Sequence, residues 1–160
     1  FPMIAISTDS VEQSELQSPK KYNVKDIIIF SIIFGGVSSI FDFIFFGLFY
    51  KISPSVLQTN WFIASVLTEL VLIFSIRTKT IFFKGKRPSN TLLWLSLLAA
   101  FIAVILTFIP FGANIFGFEK PTAGYLIIII SIAIVYFVFT ETFKLFYYKK
   151  MNLINQNHKS

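Results

Sequence analysis

Four long apolar runs, three of them enclosing an acidic residue (Asp42, Glu69 and Glu141), constrain this chain more than any other feature. A charged group near the centre of a membrane span costs roughly 2.5–3.5 kcal/mol on insertion scales, so such residues face a bundle interior, a partner or an ion path. Composition points the same way: 55% of residues are hydrophobic and only 14% charged, with a mean hydropathy of +0.74. That balance lies outside the range of an ordinary water-soluble domain of this size. The expected fold class is all-α, a polytopic membrane protein with four transmembrane helices arranged as two hairpins.

The runs cover residues 26–50, 57–77, 91–111 and 123–148, preceded by a mixed-charge stretch to residue 25 and followed by a polar tail over 149–160. The first run, at 1.5 Å per residue, is long enough to cross a hydrocarbon core of about 30 Å with some tilt. Lys51-Ile52-Ser53-Pro54-Ser55 breaks it. The second run is short, with Trp61 as an interfacial anchor at one end and Arg77 and Lys79 able to snorkel at the other. A basic loop then ends in Pro88-Ser89-Asn90, where Asn90 offers a cap for the third helix, and Pro110-Phe111-Gly112 stops that helix. Residues 1–25 read as the end of a preceding transmembrane helix followed by a cytoplasmic loop. Because the chain opens on Phe1 within an apolar hexapeptide too short and uncharged for a signal peptide, it is expected to be the C-terminal part of something longer.

The distribution of Lys and Arg sets an expected orientation. Twelve of them, including Lys20, Lys21, Lys25, Lys84, Arg87 and Lys149, fall on one side of the four spans, and only Lys51 and Lys120 on the other. The positive-inside rule then places both termini in the cytoplasm. This clustering between apolar runs, rather than along one soluble face, also argues against nucleic acid as the partner of a chain with net charge +6.

Polar residues inside the runs are the candidate functional groups. On the first helix Ser31, Gly35 and Ser39 recur every four residues with Asp42 three beyond, a face small enough for another helix to approach closely. Asp42 then serves either packing, by a hydrogen bond to a neighbouring helix, or direct ion ligation. Ser65, Thr68, Glu69 and Ser75 fall roughly on one side of the second helix. Glu69 precedes Arg77 by eight residues, about 12 Å deeper at helical rise. Its carboxylate there either pairs structurally or joins oxygen ligands around a cation or a proton path. Glu141 and Lys144 stand three apart on the fourth helix, the spacing of a local ion pair with Lys144 snorkelling. Tyr136 and Thr140 share that side, which leaves a relay open.

Soluble catalytic chemistry has no basis here. The chain lacks cysteine, has a single histidine, His158, in its tail, and shows no Walker A loop, GxGxxG or HExxH motif. No catalytic residue or cofactor site is expected within it.

One family does resemble it. The opening Phe1-Pro2-Met3-Ile4-Ala5-Ile6-Ser7-Thr8-Asp9-Ser10-Val11-Glu12, then Pro19-Lys20-Lys21-Tyr22-Asn23-Val24, resembles the exit of the sixth transmembrane helix and the next loop of P-type cation pumps. The remainder resembles helices seven to ten of that family. Phe34-Gly35-Gly36-Val37-Ser38-Ser39-Ile40-Phe41-Asp42, Trp61-Phe62 and Ile76-Arg77-Thr78-Lys79 are most similar to the magnesium-transporting subgroup. The resemblance implies the C-terminal membrane domain of an ATP-driven translocase in the plasma membrane, supporting the ion-translocating helices, with Mg²⁺ as cargo. ATP and Mg²⁺ would serve the full-length pump, whose phosphorylation and nucleotide sites belong to its N-terminal remainder. Glu69 is the one residue carried over as a metal ligand, since an acidic or amide residue of the eighth helix lies near the ion sites of related calcium pumps. The magnesium subgroup more often carries Gln at that position, which keeps H⁺ and Ca²⁺ open as cargoes. The competing expectation is a stand-alone four-helix membrane scaffold or subunit without transport activity of its own.

Overall fold

Local chemistry at the chain breaks sets where the apolar runs become helices in the computed structural model, which describes residues 24–78, 80–85 and 87–157. The opening segment, Lys79, Lys86 and His158 lie outside the described residues. Five α-helices and one 3₁₀ turn account for the regular structure that is described: α1 (Val24–Phe49), α2 (Pro54–Ile76), the turn Phe82–Lys84, α3 (Asn90–Leu106), α4 (Pro110–Phe116) and α5 (Ala123–Asn157). The chain is therefore all-α, with three helices long and apolar enough to span a membrane and a fourth span if α3 and α4 are taken together.

Ser53 begins α2: its backbone is extended, its Oγ accepts the Val56 N–H at 3.1 Å, and Pro54 follows where no N–H is needed. Ser89 does the same for α3, accepting the Leu92 N–H at 3.2 Å. The cap is thus Ser89 rather than Asn90, which is the first helical residue; a serine one position earlier already reaches the open N–H groups.

The third run departs from a single straight span over 91–111. Helix α3 stops at Leu106, and α4 leaves at 76° to it. Pro110 explains the early stop. It has no N–H to return to the Leu106 carbonyl, and its ring would collide with that oxygen in a continuing helix. The freed turn closes on itself, with Thr107 Oγ1 donating to the Val104 carbonyl at 2.7 Å. Gly112 lies directly against the Leu106 carbonyl: a Cβ built there would stand 1.8 Å from that oxygen. Gly117, left-handed at φ 66°, ends α4. At the other extreme α5 continues to Asn157, past the membrane exit read at residue 148, as a helix of 35 residues or about 52 Å.

Helix α2 is the centre of the domain. It packs most extensively on α5, and also on α1 and α3, and has the largest buried share of the spanning helices. Phe34, Val37, Phe41, Phe45 and Phe49 form the buried stripe of α1 at helical spacing, and Ile129, Ala133 and Tyr136 that of α5. Ile63 and Ala64 of α2 pack with Phe45, Phe49 and Ile129 in one cluster; Val37, Phe41 and Tyr136 form another. The outward faces remain apolar, among them Ile127, Ile130, Ile134 and Val138 on α5, as a helix surrounded by hydrocarbon requires.

Candidate functional site

Charged and polar groups concentrate in two places, one closed and one open. The closed one lies toward the end of the bundle that carries Lys84, Arg87 and Lys149. There Lys144 is 0% exposed and Glu141 9%. Lys144 Nζ donates to Glu141 Oε1 at 2.6 Å and to the Ser75 carbonyl at 2.8 Å. Ser75 Oγ donates to the same Glu141 oxygen at 2.7 Å, and the Phe82 N–H donates to Glu141 Oε2 at 3.1 Å. One buried ion pair therefore ties α5 to the last turn of α2 and to the 3₁₀ turn. The ring of Phe82 also meets Phe74 of α2 and Phe137 of α5 edge-on. A pair this enclosed, with its partners supplied from three segments, is suited to holding geometry.

Immediately before Glu141 on α5, Thr140 is fully buried and donates to the Tyr136 and Phe137 carbonyls. Tyr136 is buried in turn, and its hydroxyl lies 2.7 Å from Ser38 Oγ of α1. The Thr140 proton is committed to backbone, so no chain of hydrogen bonds among the described residues connects Tyr136 with Glu141. Nothing local in the sequence pairs Ser38 with Tyr136, 98 positions away.

The open region lies on α1 and α2. Asp42 is partly buried, and its Oδ1 accepts from Trp61 Nε1 at 3.1 Å. Ser39 Oγ donates to the Gly35 carbonyl within α1. Beyond the backbone of α1 itself, no atom of the described residues lies within 4 Å of a Cβ placed on Gly35 or Gly36. The small-residue stripe of α1 is therefore not what packs α1 against its neighbours among the described residues; the phenylalanine stripe does that. Glu69 is exposed, and no hydrogen bond or ion pair reaches it among the described residues. At about 100° per residue, Gln58, Ser65, Glu69 and Ile76 fall within a sector of roughly 40° on α2. Buried Val56, Thr59, Ile63 and Leu70 occupy the far side. Ser75, read beside Glu69 in the sequence, is instead enclosed with Glu141 and Lys144. No group of three or more His, Asp or Glu residues close enough to hold a metal ion occurs among the described residues.

The chain that folds this way also has counterparts among known sequences. Residues 1–146 match the family model for the C-terminus of cation-transporting ATPases. The chain belongs to that family. Similar proteins include the magnesium-transporting ATPase, P-type 1, of Salmonella typhimurium, 28% identical, and that of Escherichia coli K12, 26% identical. Each alignment covers 92% of this chain and 17% of the relative. The chain thus spans about a sixth of the length of these curated relatives.

Proposed function

We propose that this chain is the C-terminal membrane domain of an ATP-driven Mg²⁺ pump in the plasma membrane, with its basic end and both termini in the cytoplasm. It supports the ion-translocating helices of the pump's N-terminal remainder, which would carry the ATP-dependent chemistry. The single observation carrying the reading is Glu69: a carboxylate on a spanning helix, turned outward from its own bundle and unpaired there. Facing lipid it would pay the full penalty of charge in hydrocarbon, whereas facing the remainder of a pump it meets cations and donors. Magnesium requires near-octahedral oxygen coordination and keeps several waters. Glu69 would therefore supply one oxygen, directly or through water, with the others coming from preceding helices. The similarity to magnesium-transporting relatives supports Mg²⁺ as cargo.

In the full-length pump, Glu69→Ala is expected to lower the apparent Mg²⁺ affinity of cation-stimulated ATP hydrolysis by roughly 10-fold or more, the loss of one charge-assisted contact. Titrations with Mg²⁺, Ca²⁺ and Mn²⁺ at several pH values check both the size of the effect and the cargo. Unchanged affinity and turnover at normal abundance would make Glu69 a structural residue.

A further inference from the structure

Asp42 lies two turns inside the Phe49 end of α1, about 10 Å along the axis. Only one of its carboxylate oxygens has a hydrogen bond among the described residues, the one facing Trp61. The carboxylate opens into a half-open surface groove of about 250 Å³ lined by Ser39, Asp42, Phe43, Phe46 and Trp61. We infer that this pocket receives a lysine or arginine side chain from a transmembrane helix of the pump's preceding portion, pinning that helix against α1. The inference rests on the placement of the chain in a larger pump.

Three aromatic rings around one acid suit an ammonium or guanidinium group, which gains both the opposite charge and the ring faces. They suit hydrated Mg²⁺ poorly, since rings provide no oxygen. With headgroups at the level of the helix ends, this pocket and Trp61, read in the sequence as an interfacial anchor, sit about two turns below them, a depth that favours a protein side chain over a lipid amine. The same face of α1 also makes room for a helix. Ser31, Gly35, Ser39 and Asp42 share it at helical spacing, and the space over Gly35 is open. Small residues at this period allow close backbone approach, and a polar contact then fixes the register.

The test places the photocrosslinker p-benzoylphenylalanine at position 32 of the full-length pump in its native membrane. Ile32 is 68% exposed, neighbours Ser31 on α1 and does not line the pocket, so the replacement leaves both the pocket and the packing of this domain intact. Irradiation followed by peptide mapping should identify one preceding transmembrane segment containing Lys or Arg. D42N should lower that crosslink roughly three- to tenfold, the range of interhelical polar contacts in membranes, and exchanging the two charges should restore it. Crosslinking to lipid alone, to a segment without Lys or Arg, or to no protein would overturn the inference, as would an unchanged yield in D42N. The readout needs no transport. A pump that responds to Mg²⁺ without this crosslink rejects the pocket alone, and one that crosslinks without responding to Mg²⁺ rejects the cargo alone.

Discussion

Lys144→Met is expected to destabilise the protein by about 3–5 kcal/mol, the effect of removing one partner from a buried ion pair. Lys144 is fully enclosed, and among the described residues its loss leaves the Glu141 carboxylate with only the neutral donors Ser75 Oγ and the Phe82 N–H. Neither supplies a positive charge. Thermal or denaturant unfolding of the detergent-solubilised full-length protein measures the loss. The double variant Glu141→Gln with Lys144→Met should recover most of it, because no unpaired charge then remains. The single variant should also make the 3₁₀ turn more sensitive to protease, since the Phe82 contact depends on where Glu141 sits. A loss below about 1 kcal/mol, the scale of an exposed pair, would show that Lys144 reaches water and that the enclosure described above is wrong.

Gly112→Ala is the second large effect. The added Cβ would fall 1.8 Å from the Leu106 carbonyl oxygen, a backbone atom held by the end of α3. No side chain can swing aside, so either the bend between α3 and α4 opens or the two segments separate. The expected cost is about 3 kcal/mol, at the upper end for overpacking, read as a drop in the unfolding midpoint. Gly124→Ala serves as control: its added Cβ would meet Thr122 Oγ1 at 3.9 Å, an ordinary contact. That substitution should be neutral or slightly stabilising, given the helix preference of alanine. Equal effects at the two positions would remove the steric argument.

The contrast between these sites shows what could be read in advance. Pro110 is visible in the sequence and marks a stop, but the stop propagates four residues back, to the carbonyl that its ring excludes. Why residue 112 must be glycine is invisible, because the colliding atom belongs to a turn that exists only after the chain has bent. Spacing says that Glu141 and Lys144 share a face of one helix. It says nothing of Ser75, 66 positions from Glu141, or of Phe82, 59 positions away, which supply further hydrogen bonds to that carboxylate. Ser65, Thr68, Glu69 and Ser75 spread over about 120° of a helical projection, which does not say where the buried face ends; the packing of α5 on α2 encloses Ser75 and leaves Glu69 outside.

Membrane residence, helicity and membership of a cation-pump family were determined by the sequence alone. Hydrocarbon leaves a spanning backbone no hydrogen-bond partner but itself, so long apolar runs without alternation have helix as their answer. Which acids turn inward and which outward was decided only by the tertiary structure. That choice depends on the rotation of each helix about its axis, and the rotation follows from how the phenylalanine stripe of α1 and the buried faces of α2 and α5 fit one another, a property of surfaces brought together from distant parts of the chain.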